Sequence, residues 1–97
     1  EFASSASYCR MVNSRHYGSV QELIADALQH GARIVSGGKS DAKDRFIEPV
    51  VMDNVPLESR MMQEEIFGPV LPICTFERLS EAIAVINGKP KPLALYI

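Results

Sequence analysis

An α/β domain, with helices laid against a mainly parallel sheet, is what this sequence predicts on three observations. Val20, Leu23, Ile24, Ala27 and Leu28 form one apolar stripe at helical spacing. Arg33-Ile34-Val35-Ser36 is short, β-branched at its centre and bounded by glycines, which reads as a strand. Near the end, a short helical pattern leads to the almost wholly apolar residues 93–97, as a strand buried on both faces would read. Strand, helix, strand in that order implies a right-handed parallel crossover.

The elements follow in order. The first helix starts at Asn13-Ser14, because Tyr17 continues the stripe, although Ser19 with Glu22 offers a later capping box. That choice puts Gly18 inside the helix, at a cost of about 1 kcal/mol. Gly31 stands where a left-handed cap is expected, and His30 sits in the last turn near the negative end of the dipole. After the strand at 33–36, residues 37–44 read as a polar loop. Residues 45–52 are extended, and Pro49 within them removes a ladder donor, which predicts an edge strand or a bulge. Residues 55–63 read as an irregular connection containing Pro56. Residues 70–76 form a further strand interrupted by Pro72. Ser80 then caps a short helix over 81–86, ended by Asn87-Gly88. Residues 1–7 are small and polar, and are expected to be a linker or cloning remnant outside the fold. A chain stopping inside an apolar strand suggests a domain that continues, since an exposed strand edge is a liability.

Composition narrows the function. Ninety-seven residues allow one small domain, which buries only about 60% of its unfolded surface. The hydrophobic share of 46% and charged share of 23% are those of a globular chain. Ten Lys and Arg against 12 Asp and Glu give a net charge of −2, with no basic run, which argues against a nucleic-acid partner. No apolar stretch has the roughly 20 residues of a membrane span, and no signal peptide is visible. Two cysteines are too few for a disulfide scaffold or a Cys-rich zinc site. The class reading is a soluble domain of a reducing compartment, cytoplasmic by default.

Four features bear on chemistry. Ser36-Gly37-Gly38-Lys39-Ser40 ends like a phosphate-binding loop, but that pattern needs a Gly where Arg33 stands and a helix afterwards. It reads as a solvated loop. Cys74, between Ile73 and Thr75, reads as an inert core thiol, and nothing local would activate Cys9. No His or Asp is placed by sequence to activate Cys74 as a hydrolase nucleophile. His16 and His30 lack metal-ligand spacing and read as helix-surface residues. The fourth feature is Gln63-Glu64-Glu65-Ile66-Phe67-Gly68-Pro69-Val70. An adjacent Glu pair is by itself an ordinary solvated surface. Here it leads into a Gly-Pro turn, which holds the backbone on a fixed course with an aromatic ring close by. A carboxylate only accepts hydrogen bonds and can take both hydroxyls of a vicinal diol. A ribose bearing a nicotinamide fits that description, and local physics permits the use without requiring it.

Glu64-Glu65-Ile66-Phe67-Gly68-Pro69 resembles the signature of the aldehyde dehydrogenase superfamily. Arg10-Met11-Val12-Asn13-Ser14-Arg15-His16-Tyr17, Gly37-Gly38, Phe46-Ile47-Glu48-Pro49, Met62-Gln63 and Lys91-Pro92-Leu93-Ala94-Leu95-Tyr96 resemble its class-three and fatty aldehyde branch, in the family's order. The resemblance covers residues 8–97. It implies part of a Rossmann-like catalytic domain in an oxidoreductase that turns aldehydes into carboxylic acids with NAD or NADP. In that family a cysteine thiolate attacks the aldehyde, an oxyanion is stabilised by donors including an Asn amide, and a Glu-activated water hydrolyses the thioester. Carried over residue by residue, Glu65 matches the glutamate that bonds the nicotinamide ribose, and Phe67 the phenylalanine packed beside it. Glu64, Gly68 and Pro69 match framing positions.

Neither Cys9 nor Cys74 lies in the family's nucleophile motif, and Cys9 stands where relatives commonly have Gly. The catalytic cysteine, general base and oxyanion asparagine are expected upstream, so residues 8–97 alone should be inactive. The resemblance suggests a homodimeric parent, with no membrane segment indicated within these residues. The alternative reading is a non-catalytic product that acts as a binding or self-associating α/β module, its last strand an open edge for strand addition.

Overall fold

The computed structural model describes residues 1–97. Helix α1 (Ser14–Gln29) is capped by Asn13, whose side chain accepts the His16 N–H at 2.8 Å. Its stripe faces inward: Val20, Leu23, Ile24 and Ala27 are buried, each large apolar side chain giving about 1.5–3 kcal/mol. Leu28 lies at the edge of the stripe and stays exposed. The helix ends at His30, followed by Gly31 at φ +97°.

Strands β1 (Arg33–Ser36), β4 (Val50–Asp53) and β5 (Val70–Pro72) form one sheet in the order β1-β4-β5. A second, two-stranded sheet pairs β2 (Ser40–Asp41) with β3 (Phe46–Ile47). The α/β class holds, and within these residues the sheet is mixed. β1 and β4 are antiparallel because a loop and hairpin, with no helix, join them. β4 and β5 are parallel, connected through the one-turn helix α2 (Arg60–Gln63). Cross-strand partners Arg33 and Asp53 close a two-bonded ion pair at 2.9 and 2.7 Å. Helix α3 (Leu79–Asn87) follows β5.

Several expectations are corrected. Residues 45–52 are not one edge strand: Pro49 divides them into β3 and a central β4, and the bulge falls on β1 between Ile34 and Ser36. Residues 37–44 are not wholly loop, since Glu48 N–H donates to the Lys39 carbonyl at 2.9 Å and closes the β2–β3 hairpin. The connection over 55–63 contains α2. Past Pro72 the strand over 70–76 loses its regular ladder, keeping only bonds such as Ile73 N–H to the Met52 carbonyl at 2.7 Å. α3 is longer than expected, and Ser80 lies inside it; Glu81 instead accepts the Glu77 and Arg78 N–H groups at 3.1 and 3.4 Å. Residues 93–97 form no strand and are exposed, because no strand of these 97 residues lies beside them.

The core lies between α1 and β4, where Val50 and Met52 are fully buried with Ile47, Val55 and Met61. Residues ahead of α1 lie along β3. Tyr8 donates its hydroxyl to the Ile47 carbonyl at 2.6 Å. The Arg10 guanidinium sits 4.9 Å from the Phe46 ring centre and pairs with Asp44 at 2.7 Å. Phe2–Ser4 make one 3-10 turn with no buried residue.

Candidate functional site

The segment over residues 64–69 runs from α2 to β5 alongside α1. Its course is set residue by residue. Ile66 packs against the core cluster. Gly68 lies against Val20, and a Cβ there would stand 2.7 Å from the Val20 Cγ2. The Pro69 carbonyl accepts the Val50 N–H at 2.8 Å, so the turn also anchors the start of β4. With Ile66 inward, Phe67 points outward, 64% exposed, its ring 6.5 Å from that of His16 and nearly perpendicular to it.

Glu65 and Phe67 share a cleft of about 330 Å³ with Arg15, His16, Ser19, Arg60 and Glu64. The structure therefore brings both sequence-nominated residues together. The two glutamates differ in state. Glu64 is held by Arg60, with Nε to Oε2 at 2.8 Å and Nη2 to Oε1 at 3.5 Å. The Glu65 carboxylate is exposed and receives neither a hydrogen bond nor an ion pair from the protein. An exposed, unpaired carboxylate beside an exposed aromatic ring is an acceptor pair for a ligand with hydroxyls next to a flat apolar ring.

The other candidates are placed as follows. Cys74 donates its thiol to the Val55 carbonyl at 3.3 Å, and burial pushes its pKa up against the smaller opposing pull of Lys89. A thiol held protonated in this way is a poor nucleophile. Cys9 is exposed. Gly37 and Gly38 have φ of +79° and +105°, and a strand rather than a helix follows them. His30 Nδ1 lies 2.8 Å from the Asp26 carbonyl, at the end of α1. No group of three or more His, Cys, Asp or Glu side chains is gathered as a metal site, and no helix is long and apolar enough to cross a membrane.

The model of the aldehyde dehydrogenase family matches residues 2–97. The chain belongs to the aldehyde dehydrogenase family. Among its relatives, the 4,4'-diaponeurosporen-aldehyde dehydrogenase of Staphylococcus aureus is 50% identical over 93 residues, which are 96% of this chain and 20% of that protein. The dimeric NADP-preferring aldehyde dehydrogenase of Canis lupus familiaris is 45% identical over 93 residues, 96% of this chain and 19% of that protein. A solved structure of the substrate-bound state of Staphylococcus aureus AldH superposes with a TM-score of 0.85 at 47% identity, over 96% of this chain and 20% of that one. The chain thus spans about a fifth of the length of these two relatives.

Two residues that hold this aldehyde dehydrogenase segment in place escape a motif search. Arg60 opens α2 and reaches Glu64 across the helix. Asp26, on α1, accepts the Arg60 backbone N–H at 2.8 Å and so ties the two helices together. The spacing of Arg60 and Glu64, four apart, is the one signal that sequence offers for the pair. Asp26 gives none, because its partner is distant in sequence.

Proposed function

We propose that these residues form part of an NAD- or NADP-dependent aldehyde dehydrogenase that oxidises aldehydes to carboxylic acids, residues 8–97 being a portion of its catalytic domain and residues 1–7 a linker. The observation that carries the reading is the free Glu65 carboxylate beside the exposed Phe67 ring, both within a segment of this family. Glu65 accepts hydrogen bonds from the nicotinamide ribose hydroxyls, and its charge makes those bonds stronger than neutral ones. Phe67 offers its face to the apolar side of the same group and excludes water there. When bound, the nicotinamide cofactor supplies the hydride acceptor for aldehyde oxidation. The contribution of this segment is to fix where that acceptor lies, and angular error at such a contact slows reaction steeply.

Neither Cys74, held protonated in its niche, nor Cys9 serves as the nucleophile, so these 97 residues alone are inactive. A cytoplasmic, homodimeric parent completes the reading; the dimeric NADP-preferring aldehyde dehydrogenase of Canis lupus familiaris supports the dimeric state alone. Glu65→Gln in the full-length enzyme tests the assignment. The substitution keeps the shape but replaces two charged acceptor oxygens with one neutral one. A fall in kcat of about tenfold or more, with a raised KM for the cofactor, is expected. Wild-type values for both would refute the role given to Glu65.

A further inference from the structure

Four carboxylates lie around Arg60 or the cleft it lines: Glu22, Asp26, Glu64 and Glu65. Arg60 engages three of them. Its Nε and Nη2 hold Glu64 at 2.8 and 3.5 Å, its Nη1 lies 3.9 Å from Glu22 Oε2, and its backbone N–H donates to Asp26 Oδ2 at 2.8 Å. Glu65 is the carboxylate left over. Arg15 and His16 line the same cleft, and neither makes an ion pair with these groups. A guanidinium suits the task because it is planar, offers several N–H groups at once and stays charged at every working pH. The Glu64 contact reinforces that, raising the Arg60 pKa further.

We propose that Arg60 is a positioning residue for the Glu64–Glu65 pair: by occupying Glu64 it leaves Glu65 the one unpaired carboxylate in the cleft and offsets the negative charge that an anionic dinucleotide meets there. This rests on the reading of Glu65 given above. Without Arg60, the Glu64 carboxylate is released beside Glu65, with Glu22 and Asp26 behind it. Two adjacent free carboxylates then face a ligand that carries a diphosphate, and they compete for the same sugar hydroxyls.

The test is steady-state kinetics of Arg60→Met in the full-length enzyme, with NAD and NADP each as the varied substrate. The KM for cofactor should rise about three- to fivefold, the scale of a half-exposed ion pair, with kcat retained. Raising salt to about 0.5 M should shrink the difference. Arg60→Lys, which keeps the charge but not the several N–H contacts, should recover part of the loss, and R60M combined with E64Q should recover most of it, because no freed charge remains to be offset. Should R60M lower the thermal midpoint, Arg60→Gln gives the same comparison with a polar side chain. An unchanged cofactor KM, a loss confined to kcat, or a defect that E64Q fails to reverse would each overturn the assignment. E65Q separates the two levels. If E65Q is silent, the reading of Glu65 falls; if E65Q is impaired while R60M is neutral, only the role of Arg60 falls.

Discussion

Gly37 shows how far a single missing methylene can govern this molecule. At φ +79°, a Cβ on Gly37 would lie 1.7 Å from the Pro49 carbonyl oxygen, which is backbone and has nowhere to move. The close approach is what lets the chain leave β1, turn through the β2–β3 hairpin and return as β4. Gly37→Ala is therefore expected to destabilise the fold by about 2–4 kcal/mol, combining overlap with a strained backbone. Urea denaturation would show this as a lower midpoint at unchanged slope. Little of this is visible in the letters. Gly37-Gly38 reads as a flexible loop until Pro49 is known to lie against it. The Glu64–Glu65 pair is similar. The string is legible as a family signature and nominates Glu65 and Phe67 directly. The difference in state between the two glutamates depends on Arg60, and sequence hints at that contact only through spacing.

Elements differ in how much of their stability is local. α1 carries its own stripe and its own cap, so both its start at Asn13 and its buried face can be read from the residues alone. Asn13→Ala should cost about 1 kcal/mol by freeing the His16 N–H, with helix content by circular dichroism little changed at low temperature and the melting midpoint lowered. α2 is the opposite case. A single turn has no cooperative helix stability of its own, and this one forms because Asp26 receives its first N–H while Met61 sinks into the core. The two-residue strands β2 and β3 likewise exist through the contact between Lys39 and Glu48. Residues 93–97 err in the other direction. Their apolar run has the composition of a buried strand, but burial is supplied by neighbours, and among these residues none pairs with them.

At the scale of the whole molecule, alkaline pH is the condition that should loosen it. Burial raises the Tyr8 pKa, opposed by Arg10 and aided by Glu48 and Cys9, and burial raises that of Cys74. Both groups keep their protons to higher pH folded than unfolded. Their contribution is complete below the ordinary values of 10.0 and 9.0, and is lost as pH rises through the folded values. The Tyr8 hydroxyl must be protonated to donate to Ile47, so ionisation releases the residues ahead of α1 from β3. The urea midpoint should fall as pH rises above about 9, and Tyr8→Phe should flatten that fall. A steeper decline in Y8F than in the wild type would contradict this account. The segment over 64–69 belongs to a different regime. α1 holds it through Gly68 on Val20, β4 through the Pro69 carbonyl, α2 through Arg60 and Glu64, and the core through Ile66. Its backbone has little freedom left to surrender, so a ligand that meets Glu65 and Phe67 is spared most of the ordering entropy that mobile loops exact on association.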